Sequence, residues 1–179
     1  MHRRRLLAAF TAALVVAGCK KPKAEAQAGP TGGAGRGDSA SLAEAKAFLA
    51  RNAKAPGVQV LPSGLQYKVL RSGPAAGLHP QKNDEVKVNY EGKLLDGRVF
   101  DSSYARGVPA ALPLAGLIPA WIEALQLMRP GDEWMLYVPP ELGYGAQGAG
   151  GGEIPPDSAL VFRIELIDLL PAPGRVQQG

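Results

Sequence analysis

Residues 119–138 read PAWIEALQLMRPGDEWMLYV, and a change of hydrophobic period inside this stretch decides the fold. Pro119 suits a first helical position, where its missing N–H costs nothing. Trp121, Leu125 and Met128 then recur at helical spacing until Pro130-Gly131 stops the run. From Trp134 the period drops to two, with Trp134, Leu136 and Val138 on one face. The same alternation appears upstream, where Val86, Val88 and Tyr90 interleave with Lys87, Asn89 and Glu91, and downstream at Leu160, Phe162, Ile164 and Leu166. Residues 58–61 and 65–70 are weaker strand candidates divided by Pro62-Ser63-Gly64, and Asp96-Gly97 is a hairpin turn. Several antiparallel strands and one short helix predict an α+β domain whose bent sheet wraps the helix to bury its apolar face. About 115 residues suffice for one such core.

Ahead of this domain the chain is organised differently. Ser41-Leu42-Ala43-Glu44 has the spacing of a capping box, so a helix is expected over 41–56, with Leu42, Ala45, Phe48 and Leu49 on one face and Pro56-Gly57 at its end. A helix this short is marginal alone, and docking on its own domain is the simplest use of that stripe. Residues 20–40 are rich in Gly, Ala, Pro and Lys without apolar periodicity, which reads as a flexible tether. Arg3, Arg4 and Arg5 precede an apolar run over 6–16 that is too short to span a bilayer and suits a signal-peptide core. The residues Val16-Ala17-Gly18-Cys19 resemble the lipobox of bacterial lipoproteins. That resemblance implies a signal peptide over 1–18, a lipid-bearing Cys19 opening a linker over 19–40, and a membrane-anchored protein of the bacterial envelope. Lys20 after the cysteine implies the outer membrane, facing periplasm or surface.

Charge and composition exclude several functions. The basic excess is +4 (20 against 16), and because three of the 20 lie in the leader it falls to +1 beyond it. The usual inference from basic charge to nucleic acid therefore fails. Cys19 is the single cysteine, so no disulfide forms within the chain, and His79 is the one histidine beyond the leader. Cys or multi-His metal sites are thus excluded, and a His-based triad has one candidate. Gly143, Gly145 and Gly148 spell G-x-G-x-x-G, but Pro139-Pro140 precedes and Ile154-Pro155-Pro156 follows, which forbids the helix a dinucleotide site needs.

Between residues 86 and 168 the chain instead carries Tyr90, Phe100, Ile118, Trp121, Tyr144 and Phe162 at turn and strand ends, with no nucleophile–base pair beside them. The segments DGRVFDSSYARG (96–107), LIPAWIEALQLMRPGDEWMLYVPPELGYG (117–145) and IPPDSALVFRIELIDL (154–169) resemble, in order, the FKBP-type peptidyl-prolyl cis-trans isomerases. The lead-in APGVQVLPSGLQYKVL (55–70) is similar to their macrophage infectivity potentiator branch. The resemblance covers roughly 57–170, leaves 171–179 as a disordered tail, and implies a cleft between helix and sheet. Tyr90, Phe100, Asp101, Ile118, Trp121, Tyr144 and Phe162 would be its catalytic residues, with Trp121 as floor. Leu117, Ile154 and Leu112 would bind substrate. The Ile118 N–H and Tyr144 hydroxyl would hold substrate carbonyls, with no cofactor and no metal.

Proline-containing polypeptides would be the substrates and macrolides such as rapamycin the inhibitors. Ala110 and Leu112 stand where many relatives carry phenylalanine, which implies a more open cleft and weaker macrolide binding. The glycine-rich stretch 145–153 is expected to be a mobile flap, and the single short N-terminal helix favours a monomer. Two function classes follow: an isomerase, and a chaperone or proline-peptide binding module using the same cleft, since fold alone does not prove activity.

Overall fold

The computed structural model describes residues 34–174. The leader, Cys19, the linker up to residue 33 and the last five residues lie outside the described residues. The elements are α1 (Ala34–Asn52), β1 (Val58–Val60), β2 (Gln66–Arg71), β3 (Glu85–Leu94), β4 (Val99–Ser102), α2 (Ser103–Arg106), β5 (Ala110–Pro113), α3 (Pro119–Leu125), β6 (Glu133–Val138) and β7 (Leu160–Leu170). The strands form one sheet in the order β1-β2-β6-β7-β3-β4, with β5 also paired to β3. Every strand pairing among the described residues is antiparallel.

The alternating pattern explains the layering. Leu136 and Val138 on β6, Val86 and Val88 on β3, and Leu160, Ile164 and Leu166 on β7 are fully buried. Trp121, Ala124 and Leu125 of α3, with Met128 just beyond it, join the same core. Each fully buried leucine contributes about 1.5–3 kcal/mol. Pro119 opens α3 as expected, and Ile118 before it is extended, with no side-chain cap. Gly131, at φ +94°, adopts the left-handed turn that returns the chain to the sheet, where its N–H donates to the Leu166 carbonyl at 2.7 Å. The Asp96-Gly97 turn joins β3 to β4, its Asp96 carboxylate accepting from the Arg98 N–H at 2.9 Å.

Three expectations need correcting. Helix α1 starts at Ala34, so Ser41 to Glu44 lie inside it rather than forming its first turn, and residues 34–40, expected as part of the tether, are helical. Nucleation is the costly step, and a helix already formed downstream extends through 34–40 at the cost of propagation alone, which Gly35 and Gly37 raise by about 1 kcal/mol each. α1 also ends at Asn52, with turns continuing to Gly57. Secondly, α3 has company: Ser102 caps α2 by accepting from the Ala105 N–H at 3.2 Å, and left-handed Gly107 closes it. A four-residue turn has no hydrophobic period to reveal it. Thirdly, the tail is pinned at its start, because the Ala172 N–H donates to Asp84 Oδ1 at 2.9 Å.

The stripe of α1 docks on its own domain. Ala45 is fully buried, and Phe48 lies 6.1 Å from the Tyr137 ring. Gln66 joins the two, donating to the Leu49 carbonyl and accepting from Asn52, both at 2.9 Å.

Asp84, 1% exposed, also accepts from the Gln81 N–H at 2.7 Å. Asp84→Ala is expected to destabilise the protein by about 2–4 kcal/mol, because two backbone donors lose a charged acceptor. Urea unfolding with an unchanged midpoint would show that the carboxylate does not staple these segments.

Candidate active site

A cavity of about 280 Å³ opens where α3 begins. β3 supplies Tyr90, β4 supplies Phe100 and Asp101, and β7 supplies Phe162. Leu112 comes from β5, Leu117 and Ile118 from the turn into α3, Trp121 from α3 itself, and Tyr144 from the loop between β6 and β7. Gly116 completes the lining. Ile154 is the expected residue that is not brought to the cavity wall. It is 5% exposed, packs in the core, and exchanges backbone hydrogen bonds with Ala149 at 2.9 and 3.0 Å.

The walls are aromatic edges against aromatic faces. Trp121, 4% exposed, stands at 83° to Tyr90 with centroids 5.0 Å apart, and at 84° to Phe162 at 5.4 Å. Phe100 meets Phe162 at 87° and 5.6 Å. Such pairs place positive ring edges on negative faces, worth about 0.5–1.5 kcal/mol each beyond burial. Gly92 makes the last contact feasible. A Cβ there would lie 2.6 Å from Phe100 and 2.7 Å from Phe162, so a side chain would force the rings apart.

One carboxylate enters this wall, and it is compensated. The Tyr90 hydroxyl and an Arg106 Nη1–H both donate to Asp101, one to each oxygen, and Arg106 Nη2 donates to the Tyr90 hydroxyl at 2.9 Å. The guanidinium carbon lies 5.5 Å from the Tyr90 ring centroid. Burial opposes ionisation of Asp101, but the hydrogen bonds from Tyr90 and Arg106 and the guanidinium charge outweigh it, holding the carboxyl below its usual value. Burial, then the bond to Asp101, raises the Tyr90 phenol. Tyr144, 38% exposed, is raised by burial and by the Asp101 charge. Asp101 does not cap the turn that follows it; Ser102 does.

Sequence reasoning missed Arg106, Ser103 and Gly92. Arg106 lies five residues after Asp101, across a helical turn that periodicity does not show. Ser103 is fully buried and accepts from the Tyr90 N–H at 2.8 Å. The stretch 145–153 is also more constrained than expected. The Ala149–Ile154 bridge closes its tip, and the Asp157 N–H donates to the Gly145 carbonyl at 2.9 Å, tying its base.

Comparison with known proteins identifies the family. Residues 77–167 match the family described as FKBP-type peptidyl-prolyl cis-trans isomerase, and residues 7–69 match the domain amino terminal to it. Over 126 residues the chain is 54% identical to the peptidyl-prolyl cis-trans isomerase Mip of Coxiella burnetii, covering 70% of this chain and 54% of that one. Over 127 residues it is 47% identical to the outer membrane protein MIP of Legionella longbeachae, covering 71% and 53%. The chain thus spans about half the length of these curated relatives. The crystal structure of FkpA from Escherichia coli superposes with a TM-score of 0.73 at 42% identity, covering 78% of this chain and 64% of that one. A peptidyl-prolyl cis-trans isomerase structure from Pseudomonas syringae gives 0.68 at 38%, covering 74% and 96%. The ring-walled cavity between helix and sheet thus sits in a chain that belongs to the FKBP-type peptidyl-prolyl cis-trans isomerase family.

Proposed function

We propose that this protein accelerates rotation about X-Pro peptide bonds in proteins of the bacterial envelope, without forming a covalent intermediate. The observation that carries this reading is the aromatic box around one cavity whose single carboxylate is already engaged by Tyr90 and Arg106. An X-Pro bond prefers trans by only about 0.5–1 kcal/mol, yet exchanges over tens to hundreds of seconds because the C–N bond has partial double-bond character. At the twisted midpoint resonance is lost and the carbonyl becomes less polar. A water-poor apolar cavity disfavours the planar amide more than the twisted one, so binding strengthens as rotation proceeds. An acceleration on the order of 10⁴ requires about 5.5 kcal/mol of this difference.

The residues divide the work. Trp121 forms the floor, while Tyr90, Phe100 and Phe162 seat the proline ring. Leu112 and Leu117 extend the apolar wall toward the residue before proline. Among the described residues the Ile118 N–H has no acceptor, which supports its role as donor to a substrate carbonyl. The Tyr144 hydroxyl holds a second, a role supported by the presence of this exposed side chain in the cavity lining. Arg106 keeps Asp101 satisfied from within the protein, so the carboxylate does not draw water into the cavity. With Leu112 in place of an aromatic side chain, rapamycin would bind the same cavity with reduced affinity.

The name of the Legionella longbeachae relative, an outer membrane protein, supports an envelope location. Acylation of Cys19 would supply the anchor, and the use of the α1 stripe against its own domain favours a monomer.

A protease-coupled assay on a short X-Pro peptide tests the reading, and catalysis well above buffer is expected. A folded sample with no acceleration would leave only a module that holds proline-containing chains. Tyr144→Phe should lower kcat/KM about two- to tenfold, the worth of one hydrogen bond. Trp121→Ala should lower it further while circular dichroism stays native; equal rates would take both side chains out of the site. Cys19→Ser should move the protein from the membrane to the soluble fraction of lysed cells, and continued sedimentation with membranes would refute acylation.

A further inference from the structure

We infer that Tyr104, on the outer face of the sheet, is a positioning residue for the pocket: stacked on Arg163, it fixes the turn that carries Arg106 onto Asp101 and Tyr90. The inference rests on the isomerase reading above. Helix α2 is a single turn of four residues, too short to keep its own direction, so its orientation is set by what its side chains touch. Ser103 fastens it to β3 through the Tyr90 N–H. Ser102, paired with Glu91 in the sheet, caps the same end, so both attachments hold the start of the turn and leave its last residues to be directed by side chains.

Arg106 does not fix that far end. Its side chain and that of Asp101 are 46% and 41% exposed, and ion pairs so exposed to water hold little. Tyr104 points the other way, and its ring centroid lies 5.6 Å from the Arg163 guanidinium carbon. Arg163 is itself fixed: its Nε and Nη2 both lie 2.5 Å from Glu133 Oε1, and Glu133 faces Arg71 at 3.7 Å. Arg71 in turn meets Glu165 at 2.5 Å, and Glu165 accepts from Asn89, the neighbour of Tyr90. The Tyr104 ring therefore rests on a cation that shares a network with the largely buried carboxylate of Glu133. Removing the ring loosens the far end of α2, and Arg106 loses its register with Asp101.

The full chain is assayed with the X-Pro peptide, with near-ultraviolet circular dichroism confirming the fold of each variant. Tyr104→Ala should lower kcat/KM roughly two- to fivefold, the range of an exposed cation–π contact. Tyr104→Phe, which keeps the ring on Arg163, should retain wild-type turnover. In an Arg106→Ala background the Tyr104→Ala loss should vanish, because the ring then has nothing left to position. Wild-type rates for Tyr104→Ala overturn the inference. So does an undiminished further loss on top of Arg106→Ala, which would make Tyr104 a substrate contact. A wild-type chain no faster than buffer would sink the isomerase reading first, so the two failures are told apart by the parent protein.

Discussion

The site depends on Trp121 standing edge-on between Tyr90 and Phe162. Its position follows from α3, which starts at Pro119 and buries Ala120, Ala124 and Leu125 beside it, so the indole cannot tip without lifting the helix from the sheet. Perpendicular rings also resist collapse. Each presents an edge to its neighbour's face, and sliding into the empty space would forfeit that alignment together with close packing behind it. The walls are mostly rings and leucines, so they offer water few partners, and the main exception is the Asp101 carboxylate. The apolar character of the cavity is a property of the packing rather than of any one catalytic group.

Against that background a carboxylate in the wall looks like a liability. Asp101 is tolerated because its acceptor capacity is used from the protein side, by the Tyr90 hydroxyl and by Arg106. Tyr90 therefore acts twice, its ring forming wall and its hydroxyl tying down the charge. The raised phenol and the lowered carboxyl describe one arrangement: the proton stays on tyrosine and the charge stays on aspartate.

How much of this was legible in the sequence varies with the range of the interaction that sets each feature. Strands such as 86–90 and 160–166, and the helix from Pro119, announce themselves because burial on one face writes a period into the chain. Trp121, Phe162 and Tyr90 could be placed inside on that ground alone, and their convergence on one cavity came from resemblance. Arg106 and Ser103 left no such mark. Their meaning depends on β3 lying beside α2, a contact between residues 13 to 16 apart that no local pattern encodes. Gly92 was hidden for the opposite reason, since what counts there is the absence of a side chain facing two rings. The start of α1 was misplaced because Ser41 and Glu44 offer a cap that the chain does not use, and Ile154 because its neighbours in the sequence resemble a pocket rim while its own side chain turns into the core.

The irregularity of the sheet explains why the site forms where it does. β7 runs along the whole of β3, but the other edge of β3 is shared, with β5 facing 85–88 and β4 facing 91–93. Asn89 and Tyr90 fall in the gap, where the Tyr90 N–H has no strand to meet. A regular sheet would close the gap with another residue of ladder; here Ser103 supplies the acceptor instead, and its hydroxyl is completely buried for that purpose. Because a side chain rather than a strand fills this place, β4 can leave the sheet after Ser102 and turn at once into α2. That departure brings Asp101 and Arg106 to the Tyr90 hydroxyl, so the interruption of the ladder and the assembly of the pocket wall are one structural event.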